Sequence, residues 1–403
     1  MHKPSAPRGD DWLLGVRRRA HERFAALGLP TTRSEEWRHA ALAPHEKRLT
    51  NPAHHEVAAI PRAELDRRFG TGPRLVFLGG AFDVTGSNVP PGLSLAPILQ
   101  ELPSLEGLLG SIADRADDGV AALNVAYFTD GACLKVDRGR ALESPIHLVF
   151  VGPSVVRNLI VLSGNAQAEV IETHINEGAS VSNVFTELVL GMGANLRYTR
   201  VVDAGPEAVI LGKVEVLHGR DSKLFGTLGS FGGKLSRTGL HARLDNGSEL
   251  DLGAFYQASG AESADLLTHL DHAGSQGISR QICKGVIDGH GTGTFYGKVR
   301  VEAGTEKNDA KQQSRSLLLS ADATANTRPQ LEIDAEDVAC SHGATIGRID
   351  EDQIFYLVSR GIDELEARRI LTGAFAAEVL DRVSDPVSRA WLGEVWARHG
   401  GGR

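Results

Sequence analysis

The chain has 403 residues, of which 41% are apolar, 23% charged and 5% aromatic, with 46 glycines and a formal net charge of −8. That length exceeds one ordinary compact domain and points to two or three units, or to an elongated repeat. The acidic balance excludes a protein recruited to nucleic acid or anionic membranes by charge alone. Cys133, Cys283 and Cys340 are too dispersed for a disulfide framework or a Cys-x-x-Cys site. No run is long enough to span a bilayer, and the polar start, with Arg17, Arg18 and Arg19, lacks the apolar stretch of a signal peptide. The expectation is a cytoplasmic protein with reduced thiols.

Leu13, Val16, Ala20, Phe24 and Leu27 recur at helical spacing and predict an amphipathic helix over 10–27. Asp10 or Asp11 is placed to cap it, and Gly28 with Pro30 to end it. Further short helical pieces follow over 31–70. His54 and His55 invite a metal reading, but no nearby cysteine or carboxylate cluster completes a site, so a solvated loop is the simpler reading. Leu75 to Leu78 reads as a buried strand, and 95–125 returns to a helical pattern.

From about residue 130 short strands follow one another: 146–151, 159–162, 168–175, 181–190, 196–202 and 209–217. Glycine-bearing turns separate them, and no segment is long enough for a crossover helix. Gly178 and Gly193 are 15 apart, in the matching turns EGAS and MGAN, and Gly274, Gly289 and Gly304 repeat that step. Short strands and glycine turns at a fixed period predict a β-solenoid. Coils of somewhat over 15 residues give roughly ten rungs and a rod about 50 Å long. A β-sandwich with long hairpins is the alternative. A solenoid exposes unpaired backbone groups at its terminal coils, which must be capped or paired with another chain.

The densest stretch runs over 310–361. Leu317 to Leu319 is an apolar run, 321–328 a polar, turn-rich segment, and 330–334 a short alternating strand. In Cys340-Ser341-His342-Gly343 the thiol and the imidazole are two apart and point the same way in an extended chain. Such a pair can ligate a soft transition metal or support thiol chemistry. The alternative is a buried thiol beside a hydrogen-bonded imidazole at a coil edge. Asp350 with Gln353, and Asp363 with Glu366, resemble capping boxes, with Gly361 as a stop between them. Leu365, Ile370, Leu371, Ala374, Phe375 and Val379 form an apolar stripe. Asp385-Pro386 opens a last helix carrying Trp391 and Trp396, which can anchor the core or a partner.

SRSLLLS, NTRPQLEID, CSHGATIGRIDEDQIFYLVSRGI and AFAAEVL resemble the C-terminal signature of the SufB/SufD family, the scaffold of the SUF iron–sulfur cluster assembly system. SRQICKGVIDGHGTGTFYGKV resembles the family's central region and RSEEWRHAAL its N-terminal motif. The resemblance is dense over the last third of the chain and thin before residue 140. It implies a mainly β fold, with a right-handed parallel β-helix core over 129–348 between a mainly helical region, 1–128, and a C-terminal helical domain, 349–403. CSHGAT is the SufD-like form, with Gly343 where a glutamate would mark SufB. The resemblance further implies that His342, with Cys340 beside it, serves nascent cluster assembly at an interface with SufB, which supplies the essential cysteine and a glutamate. It also implies that the C-terminal helices dock the ATPase SufC, with Phe375, Leu371 and Trp391 as the candidate docking residues.

The residues themselves offer no self-contained catalytic site. GSFGGKLS at 229–236 lacks the glycine spacing and the hydroxyl residue of a phosphate loop, and GHGTGT at 289–294 is no dinucleotide fingerprint. An iron–sulfur cluster usually takes four protein ligands, and this chain offers two near one another, since Cys133 and Cys283 read as buried fillers. The expectation is therefore a non-enzymatic scaffold that holds no stable cluster alone and holds one transiently in complex. Its expected partners are a SufB-like paralogue or a second copy of itself, and a SufC-like ABC ATPase. A β-helix carbohydrate lyase or hydrolase is the alternative from another class, disfavoured by the lack of clustered carboxylates on one solenoid face.

Overall fold

The computed structural model describes residues 11–50, 57–106, 108–109 and 118–400. Asp10 and the His54–His55 pair lie outside these residues. Strands make up 45% of the chain and wind into a parallel β-solenoid of about eight turns, with helices before and after it. From Ala132–Val136 onward, successive strands alternate between two sheets. The ten-stranded sheet runs from Ala81–Asn88 and Arg74–Leu78 through Ile146–Val151 to Val338–Gly347, and the nine-stranded one from Ser94–Pro97 and Ala132–Val136 to Thr324–Ile333.

Register shows what the glycine period means. Leu196 stacks beside Leu224 and Leu224 beside Leu250, 28 and 26 positions further on. The 15-residue step is therefore half a turn, one strand and one corner, and the expectation of about ten short coils is corrected to about eight coils of nearly double length. The corners demand glycine for two reasons. Gly178, Gly193, Gly289 and Gly304 have φ between 60° and 78°, the left-handed region closed to most side chains. Gly274 has no such φ, but a Cβ there would fall 2.2 Å from Asn246 N in the coil beneath.

Alternate residues point into the bore, and its centre is aliphatic: Leu196, Leu224 and Leu250 are all at most 1% exposed. The two ends differ. At the first, the antiparallel strands Ala81–Asn88 and Ser94–Pro97 lie against the parallel sheets. Neither strand was legible in the sequence, and the second falls where a helical pattern was expected. Helix returns at Ile98–Glu101 and Gly119–Tyr127. At the last end, Thr324–Ile333 and Val338–Gly347 each have a strand on one side only. The segment read as a polar turn over 321–328 is strand from Thr324 onward, because its backbone pairs along the full length of Thr292–Val301. Ladder pairing overrides local polarity there.

A helical coat covers each outer face. The helix Asp11–Leu27 packs on Gly119–Tyr127, and Ala20, Ala121 and Val125 close over Phe185 of the nine-stranded sheet. On the opposite face, helices Glu364–Leu380 and Pro386–Arg398 bring Val379, Leu392 and Val395 against Phe231 and Phe255. Asp350, Asp363 and Asp385 each cap a helix, accepting from the N–H of Asp352, Leu365 and Ser388. Glu366 pairs with Arg369, so the second box is a one-sided cap. No helix among the described residues is long and apolar enough to cross a membrane.

His147 lies beneath the C-terminal coat, 3% exposed, with Phe69 6.1 Å away between ring centroids. Burial pushes its pKa down to about 4, while an unfolded chain takes up the proton near 6.5. Below pH 6.5 the unfolded state therefore binds more protons, and stability falls as pH drops toward 4. At pH 5 His147 alone is expected to remove about 2 kcal/mol. Urea midpoints at pH 7 and pH 5, in the native chain and in His147→Leu, check this. An equal acid-induced loss in both would refute it.

Candidate functional site

The site residues expected from sequence come together at the bare end of the solenoid. Cys340 and His342 lie on the edge strand Val338–Gly347, opposite Ala310 and Gln312 of Asn308–Leu318. Cys340 is half-buried and packs against the aliphatic core of the bore. Burial pushes its thiol above the ordinary range, so it stays protonated at neutral pH unless a cation or metal reaches it. His342 is exposed. The alternative of a filler thiol beside a hydrogen-bonded imidazole thus fits the packing of Cys340 and not His342. His342 lies on the same face of an open edge and makes no hydrogen bond among the described residues, so a ring nitrogen can donate to a metal from outside the chain.

Sequence reasoning missed what lies beneath it. Gln281, Gln312 and His342 form one column in successive strands of the ten-stranded sheet. Both glutamines are buried, and their amide oxygen and nitrogen atoms have no hydrogen-bond partner among the described residues. Thr327 Oγ1 bonds Ser314 Oγ at 3.2 Å across the bore, and Tyr256 OH meets Ser316 Oγ at 3.1 Å. The last coils therefore carry polar groups with spare donors and acceptors, unlike the aliphatic middle. The signal was present in SRQICKG and AKQQSRS, where Gln281 and Gln312 fall at alternate, inward positions.

Cys133 and Cys283 are buried, 1% and 0% exposed, and lie elsewhere. Burial pushes the Cys133 thiol up to about 11 and that of Cys283 further. Both are the inert fillers expected.

The three candidate docking residues do not share a surface. Trp391 is 3% exposed and meets Phe69 edge-on at 5.4 Å. Its ring is consumed in the core and offers nothing to a partner. Phe375 is half-buried, with the Lys284 ammonium 4.3 Å from its ring centroid, and Leu371 is half-buried too. The exposed apolar side chains of the same region are instead Phe355, Tyr356 and Val358 on the helix Glu351–Ser359, and Leu365 and Ile370 on the next, exposed by 74%, 57%, 43%, 64% and 41%.

The arrangement is a parallel solenoid with helical coats, one bare end and a Cys-x-His pair on the open edge. Residues 151–375 match the family described as SUF system FeS cluster assembly, SufBD core domain. The chain is 29% identical to an iron–sulfur cluster assembly SufBD family protein of Synechocystis, over 93% of this chain and 88% of that one. It is 28% identical to the iron–sulfur cluster assembly protein SufD of Escherichia coli, over 90% and 88%, and 27% identical to that of Bacillus subtilis, over 92% and 90%. The chain belongs to the SufBD family of iron–sulfur cluster assembly proteins.

Proposed function

We propose that this protein is a non-catalytic, SufD-like scaffold subunit that pairs through the bare end of its solenoid with a SufB-like paralogue. The nascent cluster is cargo held at that joint, with His342 as a ligand from this side and Cys340 in reserve. The observation that carries this reading is the last coil. Two edge strands, each unpaired along one side, stand side by side, and His342 lies in one of them. Unpaired strand edges are templates for another chain's strands. A partner strand would bring the thiolate and carboxylate ligands that this chain lacks, and a shared site satisfies the four-ligand need.

A SufC-like ABC ATPase docks on the exposed apolar group Phe355, Tyr356, Leu365 and Ile370. Single exposed apolar residues are ordinary, but several on adjoining helices mark an interaction surface.

Tagged co-expression with SufB-like and SufC-like subunits tests both contacts. Removing the tail after Gly361 is unsuitable, because Phe231 and Phe255 lie beneath it. Point variants serve instead. Ile333→Lys with Ile346→Lys, both half-exposed on the bare strands, is expected to weaken SufB-like pairing at least tenfold and leave ATPase binding intact. Phe355→Asp with Leu365→Asp is expected to do the reverse. Unchanged pairing in the first variant refutes the bare end as the joint. Recovery of a second copy of this chain in place of the paralogue identifies a homodimer.

A further inference from the structure

A second set of ligating groups lies on the outer face of the nine-stranded sheet, with His269 two strands in from the bare edge. It sits by a groove of about 790 Å³ between that face and the N-terminal helical segment, lined by Trp37, Lys213, Glu215, His241 and His269 among others. Strand register assembles the set. Glu215 stands beside His241 on the neighbouring strand, and His241 beside His269 on the next. Asp271, two residues after His269, shares its face. The two imidazole rings are 4.7 Å apart between centroids. His241 Nε2 is 3.0 Å from Asp271 Oδ2, and His269 Nε2 is 3.2 Å from Asp271 Oδ1. One donor atom from each of the three lies within 4.8 Å of the others.

The behaviour of Asp271 Oδ1 is a second, separate observation. It is sealed from solvent, yet accepts no well-directed hydrogen bond among the described residues, although His269 Nε2 is close. Neighbouring cations are engaged elsewhere. Arg243 binds Glu302 at 2.6 Å and Lys298 binds Glu332 at 2.6 Å. On the far side of the ring, His241 Nδ1 lies 2.9 Å from Glu215 Oε2, and Lys213 Nζ lies 2.9 Å from Glu215 Oε1.

We propose that His241, His269 and Asp271 hold a divalent first-row transition cation, with Glu215 orienting His241 from behind. Two imidazoles and one carboxylate on one side of an ion form a facial triad that leaves positions open, here toward the groove. A metal–nitrogen distance of about 2.0–2.1 Å places neighbouring donors roughly 3.0–3.4 Å apart, and His241 Nε2 and His269 Nε2 stand 3.0 and 3.2 Å from the two separate oxygens of Asp271, as a carboxylate binding through both oxygens requires. Glu215 accepts from Nδ1–H, so when the ion enters, the proton that Nε2 shares with Asp271 leaves to solvent and Nε2 becomes the metal-binding nitrogen, the usual carboxylate–histidine–metal relay. Imidazole donors suit zinc, ferrous iron or cobalt rather than calcium or magnesium. The site faces the groove on the outer surface, shares no residue with Cys340 or His342, and does not depend on the cluster-assembly reading.

The test is titration of the purified, chelator-stripped full chain with cobalt chloride at pH 7.5, followed by optical spectroscopy, with zinc competition by calorimetry. One equivalent of cobalt with ligand-field bands, displaced by one equivalent of zinc, is expected. The bands are lost in His241→Gln with His269→Gln, and also in His269→Gln alone, a half-exposed change chosen to spare the fold. Glu215→Gln weakens binding by about 10–100-fold. Cys340→Ser with His342→Ala leaves the signal unchanged. Absence of a one-equivalent signal in the native chain overturns the proposal. So does its survival in the double histidine variant, or its loss in the Cys340 and His342 variant.

Discussion

In His342→Ala the fold, the denaturation midpoint and the three-subunit assembly are expected to survive, while cluster formation is lost. The side chain is exposed and makes no hydrogen bond among the described residues, so its removal strands no buried partner. Surface changes of that kind usually cost within about 0.5 kcal/mol. A buried, hydrogen-bonded imidazole would instead leave an orphaned group at about 1–3 kcal/mol. Stability and chemistry therefore separate in this variant. Anaerobic reconstitution of the complex, read by iron and sulfide content and by the visible charge-transfer absorption, measures the chemistry. Urea unfolding of the isolated chain measures the fold. Normal iron and sulfide in an intact His342→Ala complex would remove His342 from the site. Cys340→Ser is expected to act more weakly, because that thiol is already packed against the core and held protonated by burial.

The largest stability effect is expected from Glu172→Ala, deep in the other half of the bore. Glu172 is 0% exposed and accepts from Thr186 Oγ1 and Tyr198 OH, both at 2.8 Å, with His174 Nε2 at 2.6 Å. Arg200 Nη1 is 3.6 Å away, and none of the guanidinium nitrogens has a hydrogen-bond partner among the described residues. Burial alone would raise the Glu172 carboxyl, but Arg200, His174 and Thr186 outweigh it and hold it at about 2. Arg200 itself fits only because Gly212 is opposite: a Cβ there would fall 2.2 Å from Arg200 Nη2. Alanine at 172 leaves the guanidinium buried without its counter-charge, at about 3–5 kcal/mol. Glu172→Leu with Arg200→Met is expected to recover most of that loss, since an apolar pair of similar volume is often neutral or better. Urea midpoints of the single and double variants form the cycle. A loss under about 1 kcal/mol in Glu172→Ala, or a double variant no better than the single, would refute the account. Along the ten-stranded sheet Glu172 is six strands from the bare edge, through Arg200, Leu228, Ala254, Cys283 and Ser314 to Ala344. At about 4.8 Å per strand that is roughly 29 Å, so a variant that stays folded should assemble clusters normally.

The local sequence was enough for the solenoid, the open strand that carries Cys340 and His342, and the three aspartate caps. Each depends on near neighbours: two-residue alternation, a glycine whose φ only glycine tolerates, a side chain accepting from an N–H two or three positions on. The number of turns was not available, because glycine corners follow strands of both sheets and half a turn looks the same as a whole one until the strands are paired. The strands at 81–88 and 94–97 were hidden for a related reason, since antiparallel pairing at the first end, not composition, makes them strands. Trp391 is ambiguous as a string of letters, and only Phe69, far away in the chain, decides that it is core. The groups assembled by stacking were the least legible. Gln312 beneath His342, Arg200 against Glu172, and His241 between Glu215 and His269 are brought together by register from positions 26 to 30 residues apart. A solenoid places such residues side by side only after each coil has settled on the one before it.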